Sequence, residues 1–274
     1  MLKKIFKYFL LLVLVLVIAY GIFVLIVRPS NNRDWVLDNQ TLAYADITGD
    51  DMTIHNVRNN TYRNTFDFDV NYSDITYDLS KLNSVDFIVA PFHPPSAHTF
   101  MSFGFEDGKH VAISIEARRE KDESYNIFKG LFRRFEMIYV IAEESDVIKL
   151  RTNYRDEGNV YVYPMKVSQA KAKSLFLDMI AEVNKLKDKP EFYNTITNNC
   201  TNALVRHVND IADPESKIGF SWKYVLPAYA GRLVYDLGFI DDTGTFEEIQ
   251  SKYAIKEKAV SCGDATDFSA CIRE

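Results

Sequence analysis

The sequence predicts an α+β fold, an antiparallel sheet packed on helices, behind one N-terminal transmembrane helix. Three observations predict it. Residues 8–27 run about twenty positions without a charge, enough to cross a bilayer core as a helix. Residues 97–105 and 110–117 are β-like runs flanking Glu106-Asp107-Gly108-Lys109, the pattern of a hairpin. Residues 168–186 place Ala172, Leu175, Phe176, Met179, Ile180 and Val183 on one helical face, with Ser168 as cap and Pro190 beyond the end.

The apolar span divides the chain into a basic cytoplasmic start and anchor (1–30), an extracytoplasmic domain (31–255) and a polar tail (256–274). Lys3, Lys4 and Lys7 precede the span, and Asp34 and Asp38 follow Arg28 and Arg33, which favours a cytoplasmic N-terminus. A cleaved signal peptide competes, with Ala19-Tyr20-Gly21 as its site. Membrane-like sequence continues to Val27, so an uncleaved single-pass anchor is expected.

A net charge of -6 excludes a general nucleic-acid binder, which needs a basic stripe for phosphates. No phosphate-binding glycine loop occurs, and His93, His98 and His110 lack the spacing of a structural zinc site, so no cofactor or metal is expected. In an oxidising compartment Cys262 and Cys271, nine apart, can close a small loop, although spacing leaves two free thiols open. Cys200 is then the odd thiol.

Along the domain, residues 31–39 read as a linker, 53–57 as a strand and 56–60 as an asparagine-rich turn. Residues 66–77 alternate aromatic and polar, 78–82 suit a single helical turn, and 85–92 a buried strand. A bulged turn with Gly108 left-handed sets the hairpin register: Phe103 faces Val111, Met101 faces Ile113 and Thr99 faces Ile115 on the apolar face. The other face pairs Ser102 with Ala112, Phe100 with Ser114 and His98 with Glu116, close enough for a carboxylate to orient an imidazole. A solvated surface pair is the alternative. Residues 121–134, with Tyr125, Phe128, Leu131 and Phe132, read as a loop passing into a helix; 137–142 and 159–165 read as strands.

The polar turn 193–202 delivers Cys200 to the start of a helix whose stripe is Leu204, Val208 and Ile211. Asn198 or Asn199 can cap it, leaving Cys200 at the positive end of the helix dipole, where a thiolate is favoured. A small buried hydrophobe remains the alternative reading of this cysteine. His207, two turns on, is too far for proton transfer and reads as surface or packing. Residues 222–226 and 229–237 suggest two further helical pieces.

Cys200, His98 and Glu116 supply a nucleophile, a base and an orienting acid. Papain-type folds hold the cysteine at a helix start and the histidine on the adjacent sheet, and here the histidine comes first, as in circularly permuted versions. Arg33-Asp34-Trp35, His55 to Asn59, Tyr77-Asp78-Leu79, Ala97 to Phe103, Ser114 to Arg118, Arg151 to Tyr154 and Thr197 to Thr201 together resemble the Lnb-type periplasmic domain of bacterial lipoprotein N-acyltransferases. The resemblance spans residues 31–255 and is similar to the permuted NlpC/P60 class of papain-like folds. It implies Cys200 as nucleophile, His98 as base and Glu116 as third member, with Asn199, Thr201 and Arg118 as substrate or oxyanion support. It further implies an inner-membrane protein with its domain in the periplasm. That domain would move a fatty acyl group from membrane phospholipid to the N-terminal amine of a lipidated lipoprotein. The family name implies more membrane-embedded sequence after such a domain, so a membrane-protein partner or another acceptor is also an expectation. Two other readings stand beside it: a cell-wall peptidase or amidase using the same thiol, and a non-catalytic anchored binding module.

Overall fold

Two-residue periodicity sends Met101, Phe103, Val111, Ile113, Ile115, Met137, Tyr139 and Ile141 to one side of a sheet, and Phe100, Ala112, Ile138, Val140 and Ala142 to the other. Both sets are buried, so both sides of the sheet are covered. The computed structural model describes residues 1–93, 95–155 and 158–274. Its strands are β1 (Tyr44–Thr48), β2 (Asp51–Arg58), β3 (Thr61–Tyr62), β4 (Phe68–Asp69), β5 (Tyr72–Asp78), β6 (Leu82–His93), β7 (Ser96–Phe105), β8 (His110–Arg118), β9 (Glu136–Ala142) and β10 (Tyr161–Pro164). Eight of them form one sheet in the order β1-β2-β9-β8-β7-β6-β10, with β5 also on β2; β3 and β4 form a separate ribbon. Neighbours run antiparallel except β2 and β9, which meet in parallel at the single pair Arg58 and Ala142.

The helices are α1 (Leu2–Ile26), α2 (Glu144–Lys149), α3 (Gln169–Asp188), α4 (Cys200–Asp210), α5 (Trp222–Val225), α6 (Ala230–Asp236), α7 (Phe246–Lys252), α8 (Lys256–Cys262) and α9 (Phe268–Cys271). α1 is uncharged from Tyr8 to its end, and none of its residues is buried. α3 and α4 cover the first face of the sheet, where Phe176 lies against Phe103 with ring centroids 4.7 Å apart. Truncating a side chain so enclosed typically costs about 3–5 kcal/mol. α2, α8 and α9 cover the second face through Val147, Ile148, Ala259, Phe268 and Ile272.

Three sequence expectations change here. Residues 56–58 are strand rather than turn: the β2–β5 register shifts between Ile54 and Val57, and Asn56 takes the positive φ of 61° that this bulge requires. Residues 121–134 hold one 3-10 turn, Lys129–Leu131, and no α-helix, because Phe128 and Phe132 point outward and give a helix no face to bury. The 31–39 linker is docked: Trp35 is buried and its Nε1 donates to Asn31 O at 2.9 Å. The polar tail packs onto the domain. Cys262 and Cys271 are joined in a disulfide, and Arg273 reaches two buried carboxylates, Asp86 and Glu144, at 2.6 Å each.

Candidate active site

Sheet geometry opens the site. The β7–β8 pairing runs from Gly104 and His110 to Met101 and Ile113 and stops there, while β7 stays paired with β6 down to Ser96. The expected register is therefore met over its first half, and below it the two strands part. Side chains span the gap. His98 Nε2 lies 2.7 Å from Ser114 Oγ, and the Ser114 hydroxyl donates to Glu116 Oε1 at 2.7 Å. His98 and Glu116 are thus 3.8 Å apart and joined through a serine rather than directly.

That chain fixes the imidazole tautomer. An ionised carboxylate only accepts, so Ser114 spends its proton on Glu116 and must accept from Nε2–H. Nδ1 is left with a lone pair, and no described residue makes a hydrogen bond to it. Burial, reinforced by the Arg151 charge, pushes His98 down to about 3, so the ring is neutral at pH 7. Burial alone would raise Glu116, but Arg151, 3.1 Å away, and then His98 and Arg58 hold it far below the usual carboxylate range. Arg151 comes from an irregular helical turn, Leu150–Tyr154, and its guanidinium also lies over the Phe100 ring. Phe100 in turn stacks on His98 at 5.4 Å, so one aromatic ring steadies both.

The cysteine side is built by asparagines. Asn194 and Asn198 exchange backbone hydrogen bonds at 3.0 Å, and Asn194 Oδ1 accepts from the Ile196 and Thr197 amides, closing the turn. Asn199 is the N-cap of α4: its Oδ1 accepts from Asn202 N at 2.9 Å, while its Nδ2 ties back to Thr195 O. Within the described residues the Cys200 and Thr201 amides have no backbone partner and sit at the open end of the helix. Cys200 is the free cysteine, 4% exposed, with Thr201 Oγ1 3.8 Å from its sulfur. Thr201 bonds Thr99 of β7 at 2.9 Å, which pins the helix start to the strand that carries His98.

One cavity of about 570 Å³ is lined by His98, Glu116, Arg151, Asn199 and Cys200 together, with Tyr125, Ile127, Tyr193, Ile196, Val225 and Leu226 making much of its wall apolar. No hydrogen bond joins Cys200 to His98 among the described residues; they face the same space. Thr201 supports the site from behind. Arg118 does not line it: its guanidinium donates to Asn39 O, Asn31 Oδ1 and Gln40 O and lies 4.2 Å from the Trp35 ring centre, holding the docked 31–40 segment. His207 is not at the surface; it is buried between Tyr139 and Asp178 as a packing group.

Sequence reasoning missed Ser114 and Arg151. Ser114 carried a signal, since it shares a strand face with Glu116; Arg151 carried none beyond its motif.

A family model, the Lnb N-terminal periplasmic domain, matches residues 68–228, more than half of the 274 residues and inclusive of His98, Ser114, Glu116, Arg151 and Cys200. The chain belongs to this family. A periplasmic Lnb domain behind a single apolar helix fits a single-pass, Lnb-like membrane protein, and membership is consistent with an enzyme. No curated protein and no solved structure matches the chain.

Proposed function

We propose that the chain is a membrane-anchored thiol acyltransferase of the periplasmic face of the inner membrane, with a permuted NlpC/P60-like, papain-type site. The observation that carries this reading is the hydrogen-bonded chain from His98 through Ser114 to Glu116, beside the cavity that also holds Cys200. With Nε2 committed to Ser114, the His98 Nδ1 lone pair is the free base on the cavity that holds the Cys200 thiol. Cys200 is the nucleophile, His98 the base, and Glu116 stabilises the imidazolium through Ser114.

In the first step the sulfur attacks the ester carbonyl of a phospholipid as Nδ1 takes the thiol proton. A C–S bond forms, the ester C–O bond breaks, and Nδ1 returns the proton to the departing lysophospholipid oxygen. In the second step the α-amine of a lipidated lipoprotein attacks the thioester. A C–N bond forms, the C–S bond breaks, and the amine proton passes through Nδ1 back to sulfur. The unpartnered Cys200 and Thr201 amides suit the carbonyl oxyanion in both steps. Apolar cavity walls and the anchor support an acyl donor drawn from the bilayer, and a membrane-protein partner is compatible with this arrangement.

Mass spectrometry of the full-length protein incubated with phospholipid tests the proposal. A fatty acyl mass on Cys200, absent in Cys200→Ala, is expected. Muropeptide cleavage with no lipid turnover would instead support the hydrolase reading. Turnover of lipid by Cys200→Ala would end the thiol mechanism.

A further inference from the structure

Between the membrane helix and the cavity runs the 127–133 loop, which turns large apolar side chains outward. Arg133 Nη1 donates to the carbonyls of Val24 at 2.9 Å and Val27 at 3.3 Å, at the end of α1. The 121–134 loop is thereby held where the chain leaves the bilayer. Asn31 fixes the same end of the domain, because its Nδ2 donates at 2.9 Å to the carbonyls of Leu186 and Lys187 at the C-terminal end of α3.

Beside Arg133 stand Phe132 and Phe128, 58% and 73% exposed, followed by Ile127 and Ile196, 45% and 52% exposed. The loop closes directly on the cysteine turn. Thr195 Oγ1 donates to Ile127 O at 2.8 Å, Thr195 N to Gly130 O at 3.3 Å, and a Cβ at Gly130 would collide with Thr195 Oγ1. Ile127 and Ile196 are also part of the cavity wall. Large apolar side chains turned outward side by side are unfavourable in water and favourable in the interfacial layer of a bilayer. Lys129, in the same loop, adds charge suited to lipid phosphates, whereas Arg134 is paired with Glu123.

The geometry points to this lip as a membrane-inserting surface: Ile127, Phe128, Phe132 and Ile196 sit in the leaflet beside the domain, and the cavity opens among acyl chains rather than into water. Its occupant is the bilayer that α1 spans. Continuity from the helix exit through Arg133 to the cavity wall selects lipid over a protein partner. The inference does not depend on the acyl-transfer chemistry.

Tryptophan placement tests it in the full chain, reconstituted in phosphatidylethanolamine–phosphatidylglycerol vesicles with or without brominated acyl chains. In a Trp222→Phe background, which leaves buried Trp35 as a constant signal, Phe128→Trp, Phe132→Trp and Ile196→Trp are compared with Leu237→Trp. Leu237 is exposed near Phe239, whose carbonyl binds Lys166 beside the start of α3. The 20 residues of α3 put that control about 30 Å from the membrane-facing end. Bromine is expected to quench the lip tryptophans at least twofold and to leave Leu237→Trp unchanged. Unquenched lip positions, or equal quenching at Leu237→Trp, would overturn the inference. Quenching without acyl transfer leaves the lip standing and removes the proposed chemistry, whereas acyl transfer without quenching does the reverse.

Discussion

Ser114 stands between His98 and Glu116, 2.7 Å from each, and turns a histidine–carboxylate pair into a three-member relay. A direct contact would leave the choice of ring nitrogen to the carboxylate alone. The serine instead passes one proton direction along the chain, from imidazole to hydroxyl to carboxylate, and so leaves Nδ1 basic.

Ser114→Ala removes the relay without removing the base. We expect acylation of Cys200 to slow on the order of 10²-fold, the scale of a misoriented general base. Single-turnover acylation read by mass spectrometry, with circular dichroism to confirm folding, measures this. Ser114→Thr keeps the hydroxyl and should retain most of the rate.

The neutral state of His98 sets a stability profile. Its folded value lies near 3, below the usual 6.5, so between those limits the unfolded chain binds a proton that the folded chain does not. Stability is therefore full above about pH 6.5 and falls with pH through that window, by at most about 1.4 kcal/mol per pH unit. Glu116, also depressed, adds to the loss as pH falls below the normal carboxylate range. Denaturant unfolding at pH 7, 6 and 5 is expected to show a shallower slope for His98→Gln than for the wild type; identical slopes would contradict the buried, neutral ring.

Arg118→Ala separates support from catalysis. Three hydrogen bonds and the Trp35 contact are lost together, and a destabilisation of roughly 2–4 kcal/mol is expected. Acylation per folded molecule should stay within a few-fold of wild type, since Arg118 does not reach the cavity.

Arg273→Ala strands Asp86 and Glu144 on the covered second face of the sheet. Burial raises Asp86, whereas Glu144 is held down against burial by Arg273 itself. Removing the arginine should cost roughly 2–4 kcal/mol, visible as a lower unfolding midpoint. Adding Asp86→Asn to Arg273→Ala should recover part of the loss.

Much of this architecture is legible in residue order because apolar alternation carries it. The Met101–Ile113 register and the α3 stripe follow from burial alone, and burial is what the sheet and helix satisfy. Where chain geometry departs from periodicity, the sequence is silent. Nothing in His98 to Met101 marks the point where β7 leaves β8, so the shared face of Ser114 and Glu116 was legible but the serine's place between histidine and glutamate was not. Asn56 to Asn60 look like a turn because asparagine tolerates left-handed backbone, and here that tolerance serves a bulge. Phe128, Leu131 and Phe132 mimic a helical stripe, yet both phenylalanines face outward. The tail is polar in composition, and its few apolar residues, Cys262, Phe268 and Ile272, are each buried.

The lone parallel pair of Arg58 with Ala142 has a consequence for biogenesis. Strands β1, β2 and β5 pair locally and are complete once residue 78 has been made, but the Arg58 end of β2 meets β9 only when residue 142 arrives. Contacts of such long sequence separation close slowly. The seam that joins this three-stranded unit to the rest of the sheet is therefore among the slower contacts to form.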